Sequence, residues 1–206
     1  MNFIVRPSRA DEWQVLKHLR ISALTQDPDA FGPTAQEALT FDDGYWQRFA
    51  AYFESSWRHM FIALTEQHSG EASRDSASEN ASENGPVGRH VHTHSRPPTK
   101  SIADACGLIS AVVDRERSGH LGAFWVDPHT RGSGLGAKLF DAALLWLEND
   151  LHCPRVELSV TEGNEQAEAM YRRRGFTRSG KFESLREGSR LRNVYMTKIV
   201  RPHQSI

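Results

Sequence analysis

The 206 residues carry 25 Lys and Arg against 26 Asp and Glu, a formal net charge of −1, with 38% hydrophobic and 25% charged residues. That composition suits one sizeable domain and is short for two. It excludes a whole-protein field that would draw in nucleic acid or anionic lipid, and no apolar run approaches the roughly 18 to 20 residues that span a bilayer.

Met1-Asn2-Phe3-Ile4-Val5-Arg6-Pro7 lacks the basic and long apolar regions of a secretory leader, so a cytoplasmic location is expected. Residues 3–5 suit a first strand. Ser8, followed by Asp11 and Glu12, predicts a helix start, and Trp13, Leu16, Leu19 and Ala23 recur at helical spacing until Pro28. Residues 27–40 contain Pro28, Gly32 and Pro33 and read as a long loop. A second helix begins near Asp42 or Asp43, with Trp46, Phe49, Ala50 and Phe53 on one face.

Residues 60–65 read as the next strand. From residue 66 to about 100 the chain turns rich in Ser, Glu, Asn, His and Pro, with Val87 and Val91 its only sizeable apolar residues. Such a stretch buries too little surface to offset its ordering entropy and is expected to be a disordered insertion. His90, His92 and His94 alternate within it; incidental histidines on a solvated loop are the expectation, and no metal is assigned. Strand patterns resume at residues 105–115 and 120–126, joined by a turn at Ser118-Gly119. A polar, glycine-rich connection then leads into a helix striped by Leu135, Leu139, Ala143, Trp146 and Leu147. Val156, Leu158 and Val160 alternate as a strand. Asn164 opens another helix and Gly175 is placed to close it. Two last strands, residues 176–185 and 191–200, meet at a turn around Glu187-Gly188-Ser189. Cys106 and Cys153 are expected to be free, buried thiols.

The informative segment is Arg131-Gly132-Ser133-Gly134-Leu135-Gly136-Ala137, between a strand and a helix. Glycines there let the backbone turn tightly and approach a ligand, while the free N–H groups of the helix start attract an anion such as a pyrophosphate. Arg131 adds a charge able to pair with phosphate. The segment also satisfies the dinucleotide pattern G-x-G-x-x-G/A. Against that reading, five residues separate the glycines from their strand, and Glu157, at the distance of the ribose-binding acid, sits inside a strand. No Gly-Lys-Ser or Gly-Lys-Thr follows, which excludes a P-loop.

Trp125-Val126-Asp127-Pro128-His129-Thr130-Arg131-Gly132-Ser133-Gly134-Leu135-Gly136 resembles the acyl-CoA motif of the GCN5-related N-acetyltransferase (GNAT) superfamily, V-x-P-x-x-[RQ]-G-x-G-x-[GA]. Asn164-Glu165-Gln166-Ala167, then Tyr171, then Gly175-Phe176 resembles its N-x-x-A-x-x-x-Y-x-x-x-G-F. The resemblance implies a single α/β (α+β) domain over residues 1–206. Its mixed, mostly antiparallel sheet would have roughly six or seven strands, splayed between the fourth and fifth and flanked by about four helices. It further implies an N-acetyltransferase that moves the acetyl group of acetyl-CoA to a primary amine of a small molecule or peptide in a ternary complex, without a metal. Phe124, Trp125 and Val126 would offer main-chain groups to the pantetheine arm. Arg131, Gly132, Ser133, Gly134, Leu135, Gly136 and Ala137 would hold the pyrophosphate, Asn164 would contact CoA or water, and Tyr171 would protonate the departing thiolate. A non-catalytic acyl-CoA-binding module is the rival reading; Tyr171 in register favours an enzyme. His120, Ser159, Glu157 and Glu37 are candidates for a general base, with none assigned. Asp27, Asp29 and Glu37 could bind a cationic amine, although a loop with three acids is usually just solvated. A homodimer is left open, and neither nucleic acid nor membrane is an expected partner.

Overall fold

The computed structural model describes residues 2–66 and 102–200. Most of the 66–100 insertion, with its three alternating histidines, lies outside the described residues. Among the described residues, seven strands form one sheet in the order β1-β2-β3-β4-β5-β7-β6. They are β1 (Phe3–Pro7), β2 (Arg58–Thr65), β3 (Ala105–Val113), β4 (Gly119–Val126), β5 (Arg155–Thr161), β6 (Thr177–Ser184) and β7 (Arg192–Ile199). The pairings are antiparallel except β4 with β5, which is parallel.

Helices cover both faces. On one lie α1 (Trp13–Gln26), α2 (Ala35–Leu39) and α3 (Asp43–Phe53). Their buried Leu16, Leu19, Ala23, Trp46 and Ala50 pack with Ile62, Leu108 and Trp125 of the sheet. On the other lie α4 (Leu135–Leu145), whose end widens into a π turn over Trp146–Asp150, and α5 (Glu165–Arg172). There Leu135, Leu139, Phe140 and Tyr171 pack with Ile109, Leu121, Leu158 and Val194. Alternation along β5 sends Val156, Leu158 and Val160 toward α4, so Glu157, Ser159 and Thr161 face the side of α1. Cys106 and Cys153 are free and buried, as expected.

Two features shape the cleft. The β4–β5 ladder runs only through Gly119↔Val156, His120↔Glu157 and Leu121↔Leu158, after which the strands part. Just there β4 carries a bulge: Ser110 opposes Gly122 but Leu108 opposes Trp125, so one residue is extra, and Ala123 takes a positive φ of 50°.

The chain departs from its sequence pattern in two places on the α1 side. Residues 27–40 are not simply loop. Thr34 caps α2 by accepting from the Glu37 N–H while the Glu37 carboxylate accepts from the Thr34 N–H, a capping box, which makes five α-helices among the described residues where about four were expected. Ser8 does not cap the first helix; its N–H donates to the Met60 carbonyl at 2.7 Å. The chain enters instead through a 3-10 turn, Ala10–Glu12, whose buried Glu12 folds back onto the Arg9 N–H at 2.9 Å.

Glu12 also accepts a fork from Arg6, at 2.8 and 2.5 Å. Burial alone would raise the Glu12 carboxyl, but the Arg6 fork, the Arg9 N–H and both charges outweigh it and hold the pKa below its ordinary value. The unfolded chain therefore takes up this proton first as pH falls, at about 4.3. The pair's stabilisation is complete above that and is lost as pH drops through the lower folded value. Urea unfolding at pH 7 should show Glu12→Gln less stable by about 2–3 kcal/mol, the scale for breaking a mostly buried, charge-assisted pair. At pH 3 the difference from wild type should shrink.

Candidate active site

Where β4 and β5 part, a cleft of about 830 Å³ opens, within the usual range for ligand sites. Its walls come from β4, β5, the glycine turn, α5 and the segment after α1. Beyond Leu121 the β4 edge that faces β5 has no ladder partner, so main-chain groups there are open to an extended ligand.

The glycine turn closes one end. Asp127 starts it, accepting from the His129 N–H at 2.8 Å, and Ser133 Oγ donates to the Thr130 carbonyl at 2.6 Å. Gly132 and Gly134 have φ of 79° and 83°, in the left-handed region, and a Cβ on either would stand in open space. Gly134 is the N-cap of α4, and the first intrahelical bond runs from the Lys138 N–H to its carbonyl at 3.1 Å. The N–H groups of the turn before Lys138 therefore point out of the helix unpaired, apart from a long 3.4 Å contact of Leu135 with Ser133 Oγ. A phosphate-sized anion fits this cradle by charge, by N–H supply and by space.

The expected site residues divide. Phe124, Trp125, Val126, Arg131, Gly132, Gly134, Gly136, Ala137, Asn164 and Tyr171 all line the cleft. Ser133 and Leu135 do not: the Ser133 hydroxyl braces the turn, and the Leu135 side chain is buried in the core beneath α4. Asn164 does two things, lining the cleft and capping α5 by accepting from the Ala167 N–H at 3.1 Å. Arg131 is less free than its sequence position suggests. Its Nε donates to the Val126 carbonyl at 3.0 Å and its terminal nitrogen pairs with Asp27, which also accepts from Trp125 Nε1 at 2.8 Å. Its guanidinium ties the turn to the end of α1, and the cradle's attraction for an anion falls to the main chain.

Tyr171 is buried against Phe140 and Phe176, with ring centroids at 5.1 and 6.3 Å. Desolvation pushes its phenol well above the ordinary value, so it stays protonated across the physiological range. Its ring is in the core and its residue is part of the cleft wall.

Of the four candidate bases, only Ser159 lines the cleft. His120 and Glu157 sit at the zipped end of β4–β5, where His120 Nε2 meets Asp114 at 2.8 Å. Glu37 is spent in its capping box. The acids proposed for a cationic acceptor are similarly engaged. Asp27 holds Arg131 and Trp125, and Asp29 lies 3.6 Å from Arg186 and lends its carbonyl to Thr161 at 2.8 Å. Arg186 donates to the Pro28 and Phe31 carbonyls, both at 3.0 Å, which fastens the segment after α1 to the β6–β7 turn. Arg20, Phe31 and Asn193 also line the cleft and were missed, because each reaches it through contacts distant in sequence.

An open α/β sheet with a bulged fourth strand, a parted fifth and a glycine turn at their junction agrees with the acyltransferase architecture that the sequence motifs resemble. The model of the acetyltransferase (GNAT) family matches residues 46–176, and the chain belongs to that family. A probable spermine N(1)-acetyltransferase from Bacillus subtilis subsp. natto (strain BEST195) is 36% identical over 79 residues, covering 37% of this chain and 52% of that protein. The chain thus spans about half the length of this curated relative. Among solved structures, a GNAT-family acetyltransferase from Streptococcus pneumoniae superposes with a TM-score of 0.67 at 14% identity, covering 97% of this chain and 100% of the other. The spermidine N-acetyltransferase of Vibrio cholerae, in complex with CoA and spermine, gives 0.62 at 14% identity, covering 96% and 95%. At such identities these two likenesses concern the fold.

Proposed function

We propose that this chain is an N-acetyltransferase that moves the acetyl group of acetyl-CoA to a primary amine by direct attack within one ternary complex. The observation that carries the reading is that the glycine cradle, the unpaired edge of β4 and Tyr171 all face a single cleft. When bound, acetyl-CoA supplies a thioester, an acyl group already activated for attack.

The chain's own groups then have separable tasks. The N–H groups around Gly132 to Ala137 hold the pyrophosphate without help from the Arg131 charge, which Asp27 already neutralises. Main-chain groups of Phe124, Trp125 and Val126 orient the pantetheine arm as an added strand would. An N–H at the bulge stabilises charge developing on the carbonyl oxygen. Tyr171, protonated at every working pH, gives its hydroxyl proton to the sulfur as the C–S bond breaks and is restored by the proton that the attacking nitrogen sheds, through water, on becoming the amide. Among the described residues the cleft wall holds no imidazole and only one carboxylate, the engaged Asp27. The ammonium proton therefore leaves to water, and the amine arrives neutral.

Two measurements test this together. Acetyl-CoA at a hundredfold excess over its Kd should stabilise the fold by about 2.7 kcal/mol, read as a raised melting temperature. A panel of amines should then release free thiol in the presence of the protein. Melts unmoved by acetyl-CoA would end the proposal.

A further inference from the structure

The side of the cleft across from α4 carries an unspent charge. Arg20 projects from α1 into the cleft wall, its guanidinium stacked 4.9 Å from the centre of the Phe31 ring. It makes no hydrogen bond or ion pair among the described residues, and its Nη1 is fully buried with no partner. Elsewhere in the molecule half-buried arginines are matched: Arg6 with Glu12, Arg131 with Asp27, Arg174 with Asp141. A desolvated guanidinium left without an acceptor is costly, and burial indeed depresses its affinity for the proton.

Its surroundings fix which part of the site it serves. Phe31 belongs to the segment after α1, which is bound to β5 through Thr161 and to the β6–β7 turn through Arg186. Ser159 and Thr161 face the same side of the sheet, opposite the helix that carries the glycine cradle. This is the half of the cleft left for the acceptor when the cradle and the β4 edge are taken. Of the four arginines in the wall of the whole cleft, Arg131 and Arg174 are matched by Asp27 and Asp141, which leaves Arg20 and Arg173 as its unmatched charges among the described residues. A polycation gains nothing from such a wall.

We propose that the amine acetylated here carries an anionic group, a carboxylate or a phosphate, and that Arg20 binds it. This rests on the acyl-transfer reading above. It separates the chain from what the names of its polyamine-acetylating relatives would suggest. The planar fork of Arg20 is matched to the paired oxygens of either anion, and Phe31 holds it flat.

The test is a set of matched acceptors: amino acids against their amides, phosphoethanolamine against ethanolamine, and spermidine as the polycation. With acetyl-CoA saturating, at least one anionic member should exceed its neutral partner in kcat/KM by between about ten- and a hundredfold, the scale for one hydrogen-bonded charge. Which pair separates identifies carboxylate or phosphate. Arg20→Met should erase that preference by raising KM for the anionic member alone, with the neutral member and the acetyl-CoA Kd unchanged. Arg20→Lys, which keeps the charge and resembles the native packing more closely, should restore part of it. Spermidine or the neutral members proving best, or Arg20→Met slowing both members of each pair alike, would overturn the proposal while leaving acetyl transfer intact. A protein that binds no acetyl-CoA would take down both readings at once, which direct titration of acetyl-CoA reveals separately.

Discussion

Gly134→Val is expected to weaken acetyl-CoA by at least about a hundredfold and to remove its thermal stabilisation. Two costs combine. Gly134 sits at φ 83°, where an L residue costs roughly 1–2 kcal/mol and a β-branched one more. The second cost falls on the ligand. A Cβ at this point meets no protein atom within 4 Å, so the isopropyl group would stand in the space the pyrophosphate needs. The unliganded variant should still unfold cooperatively, with its melting temperature lowered only by the backbone term. Calorimetric titration separates the two, since a folded variant that binds acetyl-CoA as wild type does would show that the anion is held elsewhere.

Tyr171→Phe should lower turnover by about a hundredfold or more while leaving acetyl-CoA affinity nearly unchanged. The ring is buried against Phe140 and Phe176, and phenylalanine keeps those contacts. Only the hydroxyl is lost, and its interaction with the sulfur matters when the thiolate departs. Because desolvation raises the phenol above its usual value, the wild-type rate should show no fall attributable to Tyr171 as pH rises from 7 to 10. The steady-state comparison needs the best amine from the panel, with acetyl-CoA titrated directly. Turnover matching wild type would make Tyr171 a packing residue, and a lost melting temperature would make its hydroxyl structural.

The order of the elements and most of the cofactor half of the cleft were legible in the sequence, because local patterns encode them. Gly132 and Gly134 need positive φ, Asn164 caps its own helix, and Tyr171 follows two turns later on the same stretch. What escaped was set by contacts across long separations. Arg131 carried every mark of a phosphate ligand, yet its partner Asp27 lies 104 residues away. Arg20 fell within a helical pattern that said only that some face is buried, and the loop beneath it decides that the face meets a cleft. Helix α2 is a different kind of miss. Thr34-Ala35-Gln36-Glu37 is a complete capping box, and its local signal was outweighed by the prolines and glycine before it.

The extra residue in β4 has a consequence for how the strand is shared. Leu121 and Val126 both belong to the core under α4, although five steps along an unbroken strand would place them on opposite faces. Trp125, an even four steps from Leu121, belongs instead to the core under α1. Ala123 is in effect a dislocation, where the alternation slips by half a period and begins again. Substituting Ala123 and deleting it are therefore different lesions. A substitution alters one side chain, whereas a deletion would make the strand regular: Trp125, then three steps from Leu121, and Val126, then four, would keep their faces, and the bulge at the cleft would be lost. The positive φ at Ala123 thus lets β4 carry one more residue at the mouth of the sheet without turning over the strand that leads into the cradle.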